Sequence, residues 1–347
     1  MKRHLLFLAA LLIVNLAASA QKKFSVYAVG FYNQENLFDT CHDEGKKDYE
    51  YLPNKGWNGM KYTNKLRNMS KALADMGTDV LPNVGCAFIG LAEVENHKVL
   101  DALVDQAPLK ARNMKYVHIE GPDRRGIDCA LLYNPSLFSV KNVKLVPYVQ
   151  ELAKDSAFFT RGFLTVRGEM AGDDVAVIVC HWPSRFSGPF YRESAARQVK
   201  VIKDSLLNVN QEMKIFVMGD MNDDPVNKSM HVYLQAKPEI SQVGAGDMYN
   251  PWYNVLAKEG KGTLFYSGNW NLFDQIVITP NLLNKDAKKK DYSSLKYWKS
   301  HIFRRDYLIQ QEGQYKGAPL RTTAGGRWLN GYSDHLPVVM YLVKEKR

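Results

Sequence analysis

Apolar runs too short for helices recur along this chain, and most of them break into polar residues at one end. Residues 24–31, 86–92, 127–133, 138–147, 160–170, 175–180, 215–218, 272–278 and 338–343 have the length and β-branched or aromatic enrichment of strands. Runs 86–92, 175–180 and 215–218 are apolar throughout, which predicts strands buried on both faces. Helical spacing appears elsewhere. Leu66, Met69, Leu73 and Met76 predict a covering helix over 62–76 capped by Thr63 or Asn64. A second helix is expected over 98–109. A third, over 191–209, puts Ala195, Val199, Ile202, Leu206 and Val209 on its inner face. The pairs 127–133 with 138–147 and 160–170 with 175–180 are joined by short turns, so they read as antiparallel neighbours. Strand pairs without an intervening helix exclude a purely βαβ protein and predict an α+β architecture with packed sheets and outer helices. Residues 41–59 and 286–305 read as surface loops, and 247–270 as irregular.

The polar residues at the strand ends share a chemistry. Residues 215–218 stop at Gly219 and release Asp220, Asn222, Asp223 and Asp224; 86–92 deliver Glu93; 175–180 empty into His181, which Pro183 holds at the lip. Asn33 follows the first strand, Asp274 opens the eighth run, and Asp334 with His335 precedes the last. Carboxylates crowded at buried strand ends repel one another, and a hard divalent cation is the economical compensation. Imidazoles beside such a cation are the usual acid–base equipment of hydrolysis. Oxygen-rich ligands select Mg²⁺, Mn²⁺ or Ca²⁺ over zinc. Arg161 and Arg185 are candidate bidentate clamps for a phosphate.

Composition narrows the setting. Residues 1–20 carry Lys2, Arg3 and His4, an apolar stretch and a small-residue cleavage signal at Ala18-Ser19-Ala20, which predicts an exported protein without a stable membrane anchor. With Lys2 and Arg3 removed, the formal net charge of +10 becomes +8 and favours anionic partners. No repeat or low-complexity linker divides residues 21–347, so one catalytic domain is expected. The four cysteines have no C-x-x-C spacing, which argues against structural zinc; Cys129 and Cys180 are expected as buried free thiols. No G-x-S-x-G elbow, H-E-x-x-H helix or G-x-x-x-x-G-K-[ST] loop is present.

Gly219-Asp220-Met221-Asn222 and Ser333-Asp334-His335 resemble the G-D-x-N and S-D-H motifs of the endonuclease/exonuclease/phosphatase superfamily. Tyr32-Asn33, Leu91-Ala92-Glu93 and Phe273-Asp274-Gln275 support the resemblance, in the same order and over residues 24–343. It implies a four-layer α/β/β/α sandwich of two mixed sheets, DNase I-like, with the site at one end. It also implies a metal held by Glu93 with Asp334 or Asn33 close by. Asp220 and Asn222 would position water and phosphate. His181 leans toward the nuclease branch, and His335 would be oriented by Asp274 or a neighbouring acid. Asp223 and Asp224 are then ordinary turn residues.

The leading expectation is an exported Mg²⁺-dependent phosphodiesterase acting on nucleic acid. The alternatives are a phosphatase or phospholipase-type esterase on inositol phosphates or sphingomyelin-like lipids, and a non-catalytic binding module of the same fold. No protein partner is expected.

Overall fold

The computed structural model describes residues 23–149, 151, 158–286 and 288–346. The leader expected over residues 1–20 lies outside the described residues. Among the described residues no helix is long and apolar enough to cross a membrane.

The chain runs β1 (Phe24–Leu37), α1 (Gly59–Asp75), β2 (Cys86–Val94), α2 (His97–Val104), α3 (Ala107–Lys110), β3 (Lys115–His118), β4 (Asp128–Tyr133), β5 (Phe138–Val146), β6 (Phe163–Met170) and β7 (Asp173–His181). It continues through α4 (Pro189–Val209), β8 (Lys214–Asp220), β9 (Ala236–Lys237), β10 (Met248–Tyr249), α5 (Trp252–Ala257), β11 (Leu264–Tyr266), β12 (Asn269–Asn271) and β13 (Asp274–Ile278). The last strands are β14 (Lys296–Ile302), β15 (Thr323–Ala324), β16 (Arg327–Trp328) and β17 (Val338–Glu345). One sheet has six strands in the order β14-β17-β1-β2-β4-β3, and a second has seven in the order β5-β6-β7-β8-β13-β10-β9. Both mix parallel and antiparallel pairs, since β1–β2 and β7–β8 are parallel.

Side-chain alternation builds the layers. Val29, Phe31, Phe88 and Met340 from the first sheet face Val177, Val179, Phe216, Met218 and Ile276 from the second. The opposite faces are apolar too. Ala28, Ile89 and Leu91 pack under Leu66, Met69 and Leu73 of α1 and Val99 and Leu103 of α2. Ile178, Ile215 and Val217 pack under Ala195, Ala196 and Val199 of α4. This is the expected sandwich of two mixed sheets between helices. The sheets come so close that a Cβ on Gly90 would sit 2.7 Å from Met218 Sδ of the opposite sheet.

Several local expectations shift. The first helix is capped by Asn58, whose side chain accepts from Lys61 N–H, because the helix begins a turn earlier than the apolar stripe. The second expected helix breaks into α2 and α3 at Asp105–Gln106, with Pro108 in the first turn of α3. Residues 296–302, expected in a loop, form the edge strand β14 against β17, a long-range pairing that their basic, half-exposed composition does not signal. All four cysteines are free, and Cys86, Cys129 and Cys180 are buried.

Candidate active site

The seven-stranded sheet lays down a row. β7 and β8 run parallel with His181 opposite Asp220, and β13 runs antiparallel with Asp274 on the other side of Asp220. Three functional side chains therefore stand on neighbouring strands at one level. The register is held tightly there, because a Cβ on Gly219 would strike the Cys180 carbonyl oxygen.

The six-stranded sheet contributes through irregular backbone. Pairing of β1 with β2 slips between Asn33 and Leu37, and pairing of β2 with β4 slips between Ala92 and Val94. Glu35, Asn36 and Glu93 take φ of 46°, 56° and 61°, left-handed values uncommon for side-chain-bearing residues. Such bulges re-aim side chains, and such strain collects at functional sites. Here Asn36 N–H donates to Glu93 Oε2 at 2.9 Å, which ties one kink to the other. Asn222 shares the left-handed conformation (φ 48°) and donates its N–H to Asp220 Oδ1 at 2.9 Å.

The two contributions meet over Asp220. Asn33 Nδ2 donates to Asp220 Oδ2 at 3.0 Å across the sheets. His181 Nε2 lies 3.7 Å and His335 Nε2 3.8 Å from that same oxygen. Asp274 Oδ2 accepts from His335 Nδ1 at 2.7 Å, and Ser333 Oγ, which donates to Asn33 O, receives the His335 N–H. Trp182 carbonyl oxygen accepts from both Arg161 Nη2 and Asn222 Nδ2 at 3.0 Å.

The electrostatics differ sharply between the imidazoles. Burial, reinforced by Arg161 and Arg125, pushes His181 well below the ordinary histidine value. Burial opposes charge on His335 too, but Asp274 and Asp220 outweigh it and hold the imidazole well above that value. The Asp220 carboxyl is pushed up by burial, with His335 opposing and Asp274 adding. A neutral and a charged imidazole thus flank a carboxyl that is hard to ionise.

A cavity of about 370 Å³ collects Glu93, Arg161, His181, Asp220, Asn222, Asp334 and His335 in its lining. Asn33 and Asp274 lie buried outside that lining, each bonded to a residue within it. Arg161 is nearly buried, with Nη1 on Asp123 Oδ2 at 3.1 Å and Nε without a partner. Arg185 is a different case: the structure does not bring it into the cavity lining. Its guanidinium is taken up by Asp224 Oδ2 at 2.7 Å, Asn271, Asn227 and the Asn222 carbonyl, and it lies over the Phe273 ring, outside the cavity lining. Asp223 is likewise more than a turn residue, being buried against Arg192 Nε at 2.8 Å and Ser229 Oγ at 2.7 Å. A larger cavity, about 600 Å³, opens elsewhere, but its one carboxylate, Glu259, is paired with Lys261. Chemistry, not size, selects the smaller one.

Sequence reasoning passed over Arg125. It is exposed and lines the same cavity, and its guanidinium has no hydrogen bond or ion pair among the described residues. No local pattern marks it: β4 runs antiparallel to β2 with Asp128 opposite Val94, and only that pairing returns the turn before β4 to the edge that carries Glu93.

The donor set suits a hard cation in kind. Glu93 is tethered through Oε2 and leaves Oε1 3.7 Å from His181; Asp334 is tethered through Oδ2 to Arg321 at 2.8 Å and leaves Oδ1 3.9 Å from His335. Each carboxylate thus has a second oxygen not tied by a hydrogen bond among the described residues. Asn33 offers less, because its amide oxygen already accepts the Glu35 N–H. Among the described residues no group of three or more His, Cys, Asp or Glu forms a preformed metal cage.

A two-sheet sandwich with carboxylates, paired imidazoles and an arginine at one end defines a phosphoester-hydrolase type of site. The profile of the Endonuclease/Exonuclease/phosphatase family matches residues 28–344, and the chain belongs to that family. Among solved structures it is similar in fold to a Bacteroides thetaiotaomicron protein of the same family, with 14% identity, TM-score 0.54 and coverage of 93% of this chain and 97% of that one. It is also similar to the mannosyl-6-phosphatase of Bacteroides thetaiotaomicron, with 14% identity, TM-score 0.53 and coverage of 91% and 99%. The third is humanized D. rerio TDP2, with 12% identity, TM-score 0.52 and coverage of 91% and 98%. No curated protein sequence matches the chain.

Proposed function

We propose that this protein is an exported, divalent-cation-dependent phosphoesterase that hydrolyses phosphodiester bonds of nucleic acid. The observation that carries the reading is the meeting of two imidazoles on one oxygen of Asp220, at 3.7 and 3.8 Å, in a cavity that also holds Arg125. In-line attack on phosphorus needs three things: a water that loses a proton, a leaving oxygen that gains one, and neutralised phosphoryl oxygens. Asp220 Oδ2 takes the proton from water while the oxygen–phosphorus bond forms. His335 Nε2 gives a proton to the leaving oxygen as the opposite bond breaks, and Asp274 holds the ring through Nδ1. His181, kept neutral, orients the water without adding charge. Arg125 binds the phosphoryl oxygens, and Arg161 in the cavity wall adds positive charge behind them. Glu93 and Asp334 would hold Mg²⁺, with Mn²⁺ or Ca²⁺ as alternates, which when bound supplies Lewis-acid stabilisation of developing charge.

A second reading has its own observation. Phe158, Phe159 and Phe273 line the cavity, a partly apolar enclosure that would also suit a small phosphate monoester such as a sugar phosphate, the substrate class named for the mannosyl-6-phosphatase. Salt separates the two. Hydrolysis of DNA should fall about tenfold or more between 50 and 200 mM salt through counterion release, and that of a small phosphoester should barely change. A chelator should stop both and added Mg²⁺ restore them. A flat salt profile with preferred turnover of sugar phosphates would sink the nucleic-acid reading.

A further inference from the structure

Beside the active pocket lies a cavity of about 230 Å³ that the proposed chemistry does not use. Its wall is an aromatic corner. Trp57 and Trp328 meet edge to face with centroids 5.8 Å apart, and Tyr51 meets Trp57 in the same way at 5.8 Å. The corner is held firmly, since Tyr51 stacks on Phe38 at 4.2 Å and Trp57 Nε1 donates to the Phe38 carbonyl at 3.2 Å. Trp328 is half-buried on the β15–β16 hairpin. Lys55 and Lys61 line the same cavity, Lys61 Nζ lying 5.5 Å from the Trp328 ring centroid, and neither forms an ion pair among the described residues.

The cavity adjoins the active pocket by direct links. Asn36 lines it and donates its N–H to Glu93, and Glu35 lines it and shares Arg321 with Asp334. Tyr51 lies within electrostatic reach of Glu93 and Arg125. A planar ring with phosphates beside it matches both parts of the site: the rings offer a stacking surface, and the unpaired ammonium groups attract backbone charge.

We infer that this corner is the subsite for the nucleobase of the nucleotide next to the scissile phosphate, an inference that rests on the nucleic-acid reading above. Stacking on an aromatic wall tolerates any base, so the subsite would select nucleotides over sugar phosphates without reading sequence.

Calorimetric titration of the full chain with Mg²⁺ tests it, using a nucleoside 5′-methylenephosphonate and the base-free ribose 5-methylenephosphonate, neither of which can be hydrolysed at its carbon–phosphorus bond. The base should tighten binding by between about 5- and 150-fold, the range for one base–aromatic stack. Trp328→Ala should erase that difference and leave the ribose compound unchanged, while Trp328→Phe should retain most of it. Equal affinity of the wild type for both compounds overturns the inference, and so does a Trp328→Ala variant that weakens both alike. The wild-type comparison decides even where the variant fails to fold. Base preference without DNA cleavage would remove the substrate reading and keep the subsite; DNA cleavage without base preference would do the reverse.

Discussion

The two sheets feed the site in opposite ways. The seven-stranded sheet places His181, Asp220 and Asp274 by an unbroken ladder, each fixed by hydrogen bonds to its neighbours. The six-stranded sheet delivers Glu93 only after its pairing slips, from a residue at φ 61°. A regular ladder gives rigid placement of groups that exchange protons, where small displacements are costly. A kinked strand end sacrifices backbone comfort to project one carboxylate clear of the sheet. The contrast separates proton chemistry, seated on the ladder or, for His335, bonded to it through Asp274, from charge binding, seated on bulges, turns and the rim.

The largest effects should come from Asp220 on the ladder and from His335, which is bonded to the ladder through Asp274. Asp220→Ala or His335→Ala should lower kcat by about 10³-fold or more with the fold retained, measured by phosphodiester hydrolysis alongside circular dichroism. Turnover left unchanged in both variants would remove these residues from the mechanism. On the other side of the contrast, Arg125→Ala should act mainly on KM. The Arg125 guanidinium is exposed and has no hydrogen bond or ion pair among the described residues, and its backbone N–H still donates to Asp123 Oδ1 after the substitution, so its loss should leave the melting temperature alone. It should raise KM about tenfold, in the range of one lost charge-assisted hydrogen bond. An equal fall in kcat would place Arg125 on the transition state and blur the division between ladder and rim.

The same division explains what could be read from the sequence. Gly219-Asp220-Met221-Asn222 and Ser333-Asp334-His335 were legible because strand ends are local: an apolar run, a stop and a polar residue predict position without knowledge of the partner strand. The sandwich was legible for the same reason, since fully apolar strands such as 175–180 require cover on both faces. Arg125 was not, because a turn arginine becomes part of the site only through the pairing of β4 with β2. Arg185 lies outside the lining although it is near His181 in sequence, because the acid and amides that capture it, Asp224, Asn227 and Asn271, come from later segments. β14 was hidden because an edge strand with basic residues carries no buried alternation.

Farthest from sequence reading is a buried cation behind the kinked side. Lys65, on α1, is fully buried and donates to Thr322 Oγ1 at 2.5 Å and to the Tyr332 carbonyl. Burial lowers its pKa from 10.5 to about 8, although Glu35, Asp334 and Glu93 pull the other way. Glu35 in turn accepts from Thr322 N–H and sits 3.4 Å from Arg321, which holds Asp334. Lys65 is thus a brace for the segment that positions Asp334, kept at some cost in folding stability. The sign follows from linkage: between about pH 8 and 10.5 the folded lysine binds fewer protons than the unfolded one. Stability from this group therefore rises with pH across that window, and below it the cost of burying the charge is fully present. Lys65→Met removes the titration. The stability of the wild type relative to this variant, followed by urea unfolding, should improve as pH is raised from about 8 toward 10.5 and stay level from pH 6 to about 7. A difference that does not vary with pH would mean that Lys65 is charged to the same extent folded and unfolded, and that the kinked side bears no buried-charge cost. This is the smallest of the expected effects, and it is read against a cost that acts at every pH: the lost ammonium leaves Thr322 Oγ1 without its donor, about 1–3 kcal/mol, while the Tyr332 carbonyl still accepts from Thr322 Oγ1.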